Sequence, residues 1–93
     1  MQPVRAHLTI KGRVQGVFYR AFTRDLAAQF SLRGWVRNLP DGNVEALFEG
    51  YSDDMGKAIT RCHSGPPGAK VDEIEVQWEE YRGDQKGFQI RYY

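Results

Sequence analysis

The strongest constraint on this chain is a switch of hydrophobic period, from two residues to nearly four, that happens twice. Residues 4–11, Val-Arg-Ala-His-Leu-Thr-Ile-Lys, alternate strictly: Val4, Ala6, Leu8 and Ile10 take one face, Arg5, His7, Thr9 and Lys11 the other. Such alternation specifies a strand buried on one side only. Gly12 ends it, and the next segment has neither period. Phe22, Leu26 and Phe30 then recur at i, i+4 and i+8 with Ala27 beside them, which predicts an amphipathic helix to about Leu32.

The second half repeats the switch. Gly34 marks the turn out of the helix, Trp35–Asn38 reads as a short strand, and Leu39-Pro40-Asp41-Gly42-Asn43 as a hairpin turn that Pro40 lengthens. Residues 43–49 form its second arm, with Val44, Ala46 and Phe48 on one face. Ser52 followed by Asp53 and Asp54 predicts an N-cap with acids in the first helical turn, and Met55, Ile59 and Cys62 give that helix its apolar stripe. Ser64-Gly65-Pro66-Pro67-Gly68 stops it in a stiff loop. Residues 71–78 predict a strand with Ile74, Val76 and Trp78 inward, and a charged turn from Tyr81 to Gly87 leads to a last short strand, Phe88 to Tyr92. The order β-α-β-β-α-β plus a C-terminal strand is the split βαβ, ferredoxin-like α+β arrangement: two helices on one face of a mainly antiparallel sheet. Either edge of that sheet could take the last strand.

At 93 residues the chain is expected to form one domain, residues 1–93, without linker or repeat. No stretch approaches the ~20 apolar residues that a bilayer requires, and the opening Met1-Gln2-Pro3-Val4-Arg5 lacks the apolar run of a signal peptide. A single thiol, Cys62, suits a reducing cytosol, so a cytoplasmic location and no membrane partner are expected. The formal charge of +1 hides an asymmetry. Residues 1–37 carry seven Lys/Arg against one acid, Asp25, whereas residues 38–93 carry six against eleven. That split suits an anion site built from the N-terminal third.

The segment Gly12 to Arg20 lies between strand and helix, where backbone N–H groups gather at a positive helix end. Gly16 permits those groups to turn inward as an anion nest, and Arg20, at the helix start, offers a planar fork that matches two phosphate oxygens. Asn38 ends the strand after the helix. Strands flanking the helix of a β-α-β unit run parallel, so Asn38 and Arg20 open at the same sheet edge. Two plainer readings remain open on the residues alone: a tight β-α connection with a surface arginine, and an asparagine that merely makes a turn.

Taken together, Gly12-Arg13-Val14-Gln15-Gly16-Val17-Phe18-Tyr19-Arg20 resembles the phosphate-loop signature of acylphosphatases. Gly34-Trp35-Val36-Arg37-Asn38, with Gly42, Val44 and Gly50, resembles that family's second signature at the family's spacing. The resemblance covers nearly the whole chain. It implies hydrolysis of the carboxyl–phosphate anhydride to a carboxylate and inorganic phosphate, with no metal and no cofactor. Arg20 and the loop residues Gln15, Gly16, Val17, Phe18 and Tyr19 would bind the phosphoryl group, and Arg20 and Asn38 would be catalytic, Asn38 orienting water. The implied partners are a small acyl phosphate and inorganic phosphate as product or competing ligand, on a monomer.

Other chemistries fit less well. Cys62-His63-Ser64-Gly65-Pro66-Pro67-Gly68 lacks the arginine of a cysteine-phosphatase loop, and Cys62 falls on an apolar stripe. No Gly-x4-Gly-Lys-Ser/Thr motif occurs, and His7 and His63 lack partners at metal-ligand spacing. Ferredoxin-like sheets also bind RNA on exposed aromatics, but the RNP1 pattern is missing and the acidic second half opposes a nucleic-acid backbone. The phosphate loop also suits carbamoyl-phosphate processing, as in the acylphosphatase-like domain of hydrogenase-maturation proteins, though those are long multidomain chains. The alternative to an enzyme is a phosphate- or acyl-phosphate-binding module without turnover.

Overall fold

The computed structural model describes residues 2–92. In chain order they form β1 (Pro3–Arg13), α1 (Tyr19–Gln29), β2 (Arg33–Asn38), β3 (Val44–Tyr51), α2 (Ser52–Ser64), β4 (Lys70–Glu79) and β5 (Phe88–Arg91). The sheet order is β4-β1-β3-β2-β5. All pairings are antiparallel except β5 against β2, which is parallel and settles which edge the last strand takes.

One face of the sheet supplies the core. Ala6, Leu8 and Ile10 of β1, Val36 of β2, and Val44, Ala46 and Phe48 of β3 are fully buried and pack with Leu26 and Ala27 of α1 and Met55, Ala58 and Cys62 of α2. Truncating a residue such as Leu8 to alanine there is worth ~2–5 kcal/mol, much of a small domain's margin. The stripe of α1 lies slightly round from the expected one. Tyr19, Thr23, Leu26 and Ala27 are its buried residues, whereas Phe22 and Phe30 pack at the rim. The Tyr19 hydroxyl sets this rotation by donating to the Cys62 carbonyl at 2.7 Å, tying the start of α1 to the end of α2.

Three local expectations are corrected. First, α1 ends at Gln29, not Leu32, and the chain leaves it at Ser31 rather than Gly34. Ser31 has a left-handed φ of 55°, with its N–H directed to the Ala28 carbonyl and that of Leu32 to Ala27, a Schellman stop with serine where glycine is usual. Gly34 lies inside β2, where a Cβ would come within 1.8 Å of the Leu47 carbonyl oxygen, so glycine there permits close strand approach. Second, Ser52 is the first helical residue of α2 and not its cap. The β1–β3 pairing runs on to Tyr51, and the Ser52 N–H is satisfied by the Gln2 carbonyl at 2.9 Å. Third, Trp78 stands opposite Ala6 on the helix side but remains 61% exposed, because β4 is an edge strand and its far end escapes the helices.

The opposite face carries charge. Arg5 is buried there and bonds Glu49 at 3.0 Å, Glu79 at 2.9 Å and Asp84 at 3.3 Å. Glu49 also accepts the backbone N–H groups of Arg82 and Gly83, so the β4–β5 connection is held across this face and β5 is delivered to β2. His7 donates to Glu45 at 2.6 Å and Arg37 does so at 2.5 Å. Burial pushes the Glu45 carboxyl up, but those two donors overcome it and hold the group below the usual carboxylate range.

Candidate active site

The α1 end of the sheet holds a cavity of about 290 Å³ lined by Val14, Gly16, Phe18, Tyr19, Arg20, Ala21, Asn38, Ile90 and Tyr92. Its floor and walls come from three places in the chain: the β1–α1 connection with the first turn of α1, the end of β2 and the end of β5. Parallel pairing explains the meeting. β1 and β2 flank β3 and both run antiparallel to it, so they run the same way. β5 adds parallel to β2 with Val36 opposite Ile90 and Arg37 opposite Arg91, and the residues that follow, Asn38 and Tyr92, both line the cavity.

The connection is built to expose backbone. Gly16 has φ 75° with open space where a Cβ would be, and Phe18 has φ 65° and ψ 27°, a left-handed conformation that costs an L side chain roughly 1–2 kcal/mol. The first helical bond to close is Phe22 N–H to the Phe18 carbonyl, at 3.0 Å. The N–H groups of Tyr19, Arg20 and Ala21 therefore have no carbonyl one turn back within the helix. No side chain caps this end and no acid stands in the first turn. The partial positive charge of the helix thus faces the cavity together with the Arg20 guanidinium.

Arg20 is half-buried, and its guanidinium carbon lies 4.8 Å from the centre of the Tyr92 ring. Behind it Tyr19 is 1% exposed and packs against Phe22 at 5.6 Å between ring centres. Burial pushes the Tyr19 hydroxyl well above its ordinary pKa, so it serves as a neutral donor to Cys62. Burial likewise pushes the Cys62 thiol up to about 12, which leaves it un-ionised and without nucleophilic character.

Of the six loop residues expected to bind phosphate, Gly16, Phe18, Tyr19 and Arg20 line this cavity, and Asn38 lines it with them. Gln15 and Val17 do not. The Gln15 side-chain amide instead donates to the Leu39 carbonyl at 2.8 Å and the Asn43 carbonyl at 2.9 Å, pinning the β2–β3 turn beside the loop. Val17 packs against the core. The same turn is closed by Leu39 N–H to the Asn43 carbonyl and by the Asp41 carboxylate on the Asn43 N–H. Ile90 and Tyr92 escaped the residue-level reading, since their place depends on which edge β5 joins. The arrangement fits a tetrahedral anion: oriented N–H donors, one guanidinium and one neutral amide.

A family model described as Acylphosphatase matches residues 6–90. The chain belongs to the acylphosphatase family. It is 53% identical over 91 residues to an acylphosphatase of Pyrobaculum islandicum, with 97% of this chain and 96% of that protein covered. Its fold is similar to that of the acylphosphatase from Bacillus subtilis, with a TM-score of 0.93, 34% identity and coverage of 96% and 99% of the two chains. It is also similar to a part of full-length HypF, solved in a phosphate- and nucleotide-bound form, with a TM-score of 0.84 and 29% identity over 97% of this chain but 12% of that one. Acylphosphatase activity, hydrolysis of acyl phosphates, is the activity of this family, and the ferredoxin-like α+β fold agrees with it.

Proposed function

We propose that the hydrolysis of acyl phosphates takes place in the cavity between residues 14–21, Asn38 and the end of β5, without a metal or other cofactor. The observation that carries this reading is the convergence of Arg20, Asn38 and the uncapped start of α1 on one cavity. In this reading the Arg20 guanidinium and the N–H groups of the loop residues that line the cavity, Gly16, Phe18, Tyr19 and Arg20, hold the phosphoryl oxygens. Phosphoryl transfer asks mostly for positioning and for neutralisation of the equatorial oxygens, which such donors supply.

Asn38 orients the attacking water, and a neutral amide does so without repelling phosphate. The water oxygen bonds to phosphorus as the bond from phosphorus to the acyl oxygen breaks, and the pair of electrons leaves with the carboxylate. The conjugate acid of that leaving group has a pKa of ~4, so no general acid is needed. The proton from water passes to a phosphoryl oxygen. A phosphomonoester, whose alkoxide leaves poorly, is therefore a poor substrate. A monomer in the cytosol suits this reading: one copy supplies the whole cavity, and Cys62 is a buried free thiol of the kind that a reducing compartment preserves.

The test is release of benzoate from benzoyl phosphate with EDTA present, by wild type and by folded Arg20→Gln and Asn38→Ala variants. Rapid wild-type turnover that both substitutions abolish is expected. Tight binding of inorganic phosphate without turnover overturns the enzyme reading in favour of a binding module, and wild-type rates in either variant overturn the assignment of that residue.

A further inference from the structure

The phosphoryl-binding groups lie inside the cavity, but two aromatic side chains stand at its mouth. Phe18 is 84% exposed and Tyr92 79%, and both line the same cavity as Arg20. An 84%-exposed phenylalanine contributes little to folding, and Phe18 makes no capping bond. It nevertheless occupies a left-handed backbone position of the kind that Gly16, two residues earlier, meets with glycine. A side chain kept at such a position, exposed and beside a cavity, points to a task outside the fold. Tyr92 already stacks on the Arg20 guanidinium at 4.8 Å, which fixes its ring beside the group that would grip the phosphoryl end.

Apart from Arg20, the rest of the wall is apolar or uncharged: Val14, Gly16, Ala21, Ile90, Tyr19 and Asn38. The acyl carbon is separated from phosphorus by a single bridging oxygen, which puts its substituent within reach of the cavity lining, where Phe18 and Tyr92 are the exposed aromatic side chains. We propose that Phe18 and Tyr92 form an acyl subsite that favours aryl acyl phosphates over small aliphatic ones. The inference rests on the reading of this cavity as the acyl-phosphate site. A ring held in an offset or edge-on contact with one exposed aromatic gains about three- to tenfold in affinity.

The experiment measures kcat/KM for benzoyl phosphate and acetyl phosphate and follows their ratio, which cancels any change at the phosphoryl end that both substrates share. Phe18→Gly, which also relieves the left-handed strain, is expected to lower the ratio about three- to tenfold, chiefly through KM for benzoyl phosphate. Phe18→Tyr is expected to restore it, and Tyr92→Phe to keep it where Tyr92→Leu lowers it. An unchanged ratio in Phe18→Gly and Tyr92→Leu, with both substrates still turned over, overturns the subsite and leaves the hydrolase reading standing. Failure of folded wild type to turn over either substrate overturns both.

Discussion

The two helices begin in opposite ways. α2 starts on an extended Tyr51 (φ −79°, ψ 147°), its first N–H takes the Gln2 carbonyl, and Asp53 and Asp54 sit in its first turn. α1 starts on a left-handed Phe18, carries no side-chain cap, has no acid in its first turn and places Arg20 there instead. The N-terminal end of each helix carries roughly half a positive charge. In α2 the chain neutralises it with its own carboxylates. In α1 it is left, with a further cation added, at the wall of a cavity. In the function proposed above, the difference separates a helix end that serves folding from one whose electrostatics an anion from outside completes.

The heaviest blow to this contrast is the loss of the added cation. Arg20→Gln is expected to lower kcat/KM for an acyl phosphate by about 10³-fold or more, the scale on which arginines act in phosphoryl transfer. The same variant should lose protection by inorganic phosphate. In wild type, phosphate at 100 times its Kd adds ~2.7 kcal/mol to stability, which thermal unfolding reads as a rise in Tm of about 10 °C or more for a domain this small. Equal protection in both proteins would place the anion elsewhere.

A milder break gives α1 the pattern of α2. Ala21 lies in the first turn of α1 and lines the cavity. Ala21→Asp supplies the acid that suits a helix start, so stability should change by less than about 0.5 kcal/mol. The carboxylate then faces the incoming phosphoryl group, and kcat/KM should fall about tenfold, less so at high salt. Stability and activity are expected to part company here. A phosphate titration followed by thermal unfolding reads stability and phosphate affinity on the one protein, benzoyl phosphate hydrolysis reads kcat/KM, and unchanged phosphate affinity would sink the electrostatic argument.

Why one end was legible in the sequence and the other only partly follows from the range of the forces involved. Local alternation and helical spacing located β1, both helices and the hairpin, because burial of one face imposes those periods directly. Arg20 and Asn38 were legible through motif spacing, and parallel strands bring them to one edge. Ile90 and Tyr92 were not, because parallel pairing of β5 with β2 is a long-range choice, held by the Glu49 carboxylate on the Arg82 and Gly83 N–H groups. Ser52 misled for a related reason: an N-cap signal was outcompeted when the strand pairing ran on to Tyr51 and a carbonyl from the chain's start satisfied the helix. Gln15 was legible as a loop residue, yet what its side chain does depends on the neighbouring turn.

That side chain makes the next prediction. Gln15 bonds the Leu39 and Asn43 carbonyls and so holds the turn after Asn38 against the loop before Arg20. Gln15→Leu keeps the volume and removes one donor from each of two half-buried carbonyls, which keep the Gly42 and Leu39 N–H groups, at a cost of about 1 kcal/mol in chemical unfolding. Severalfold loss in kcat is expected as well, because displacement of the Asn38 side relative to the loop spoils alignment of the reacting atoms. A stability loss with kcat unchanged would mean that Asn38 keeps its position without this brace.

The smallest effect belongs to the helix end that the chain already completes. The double change Asp53→Asn and Asp54→Asn removes both carboxylates of the first turn of α2 while keeping their shape and hydrogen-bonding ability. Each such charge at an exposed helix start is worth about 0.3–1 kcal/mol at low ionic strength, so the pair should lower stability by about 1 kcal/mol. In 1 M salt, where charges are screened over about 3 Å, the difference should shrink towards zero. Because α2 begins at the end of β3 and neither aspartate lines the cavity, kcat/KM should stay within about twofold of wild type. A stability loss that salt does not relieve would show that the aspartates act through a local contact that an amide cannot make rather than through the helix charge, and the two helix ends would then differ in geometry alone.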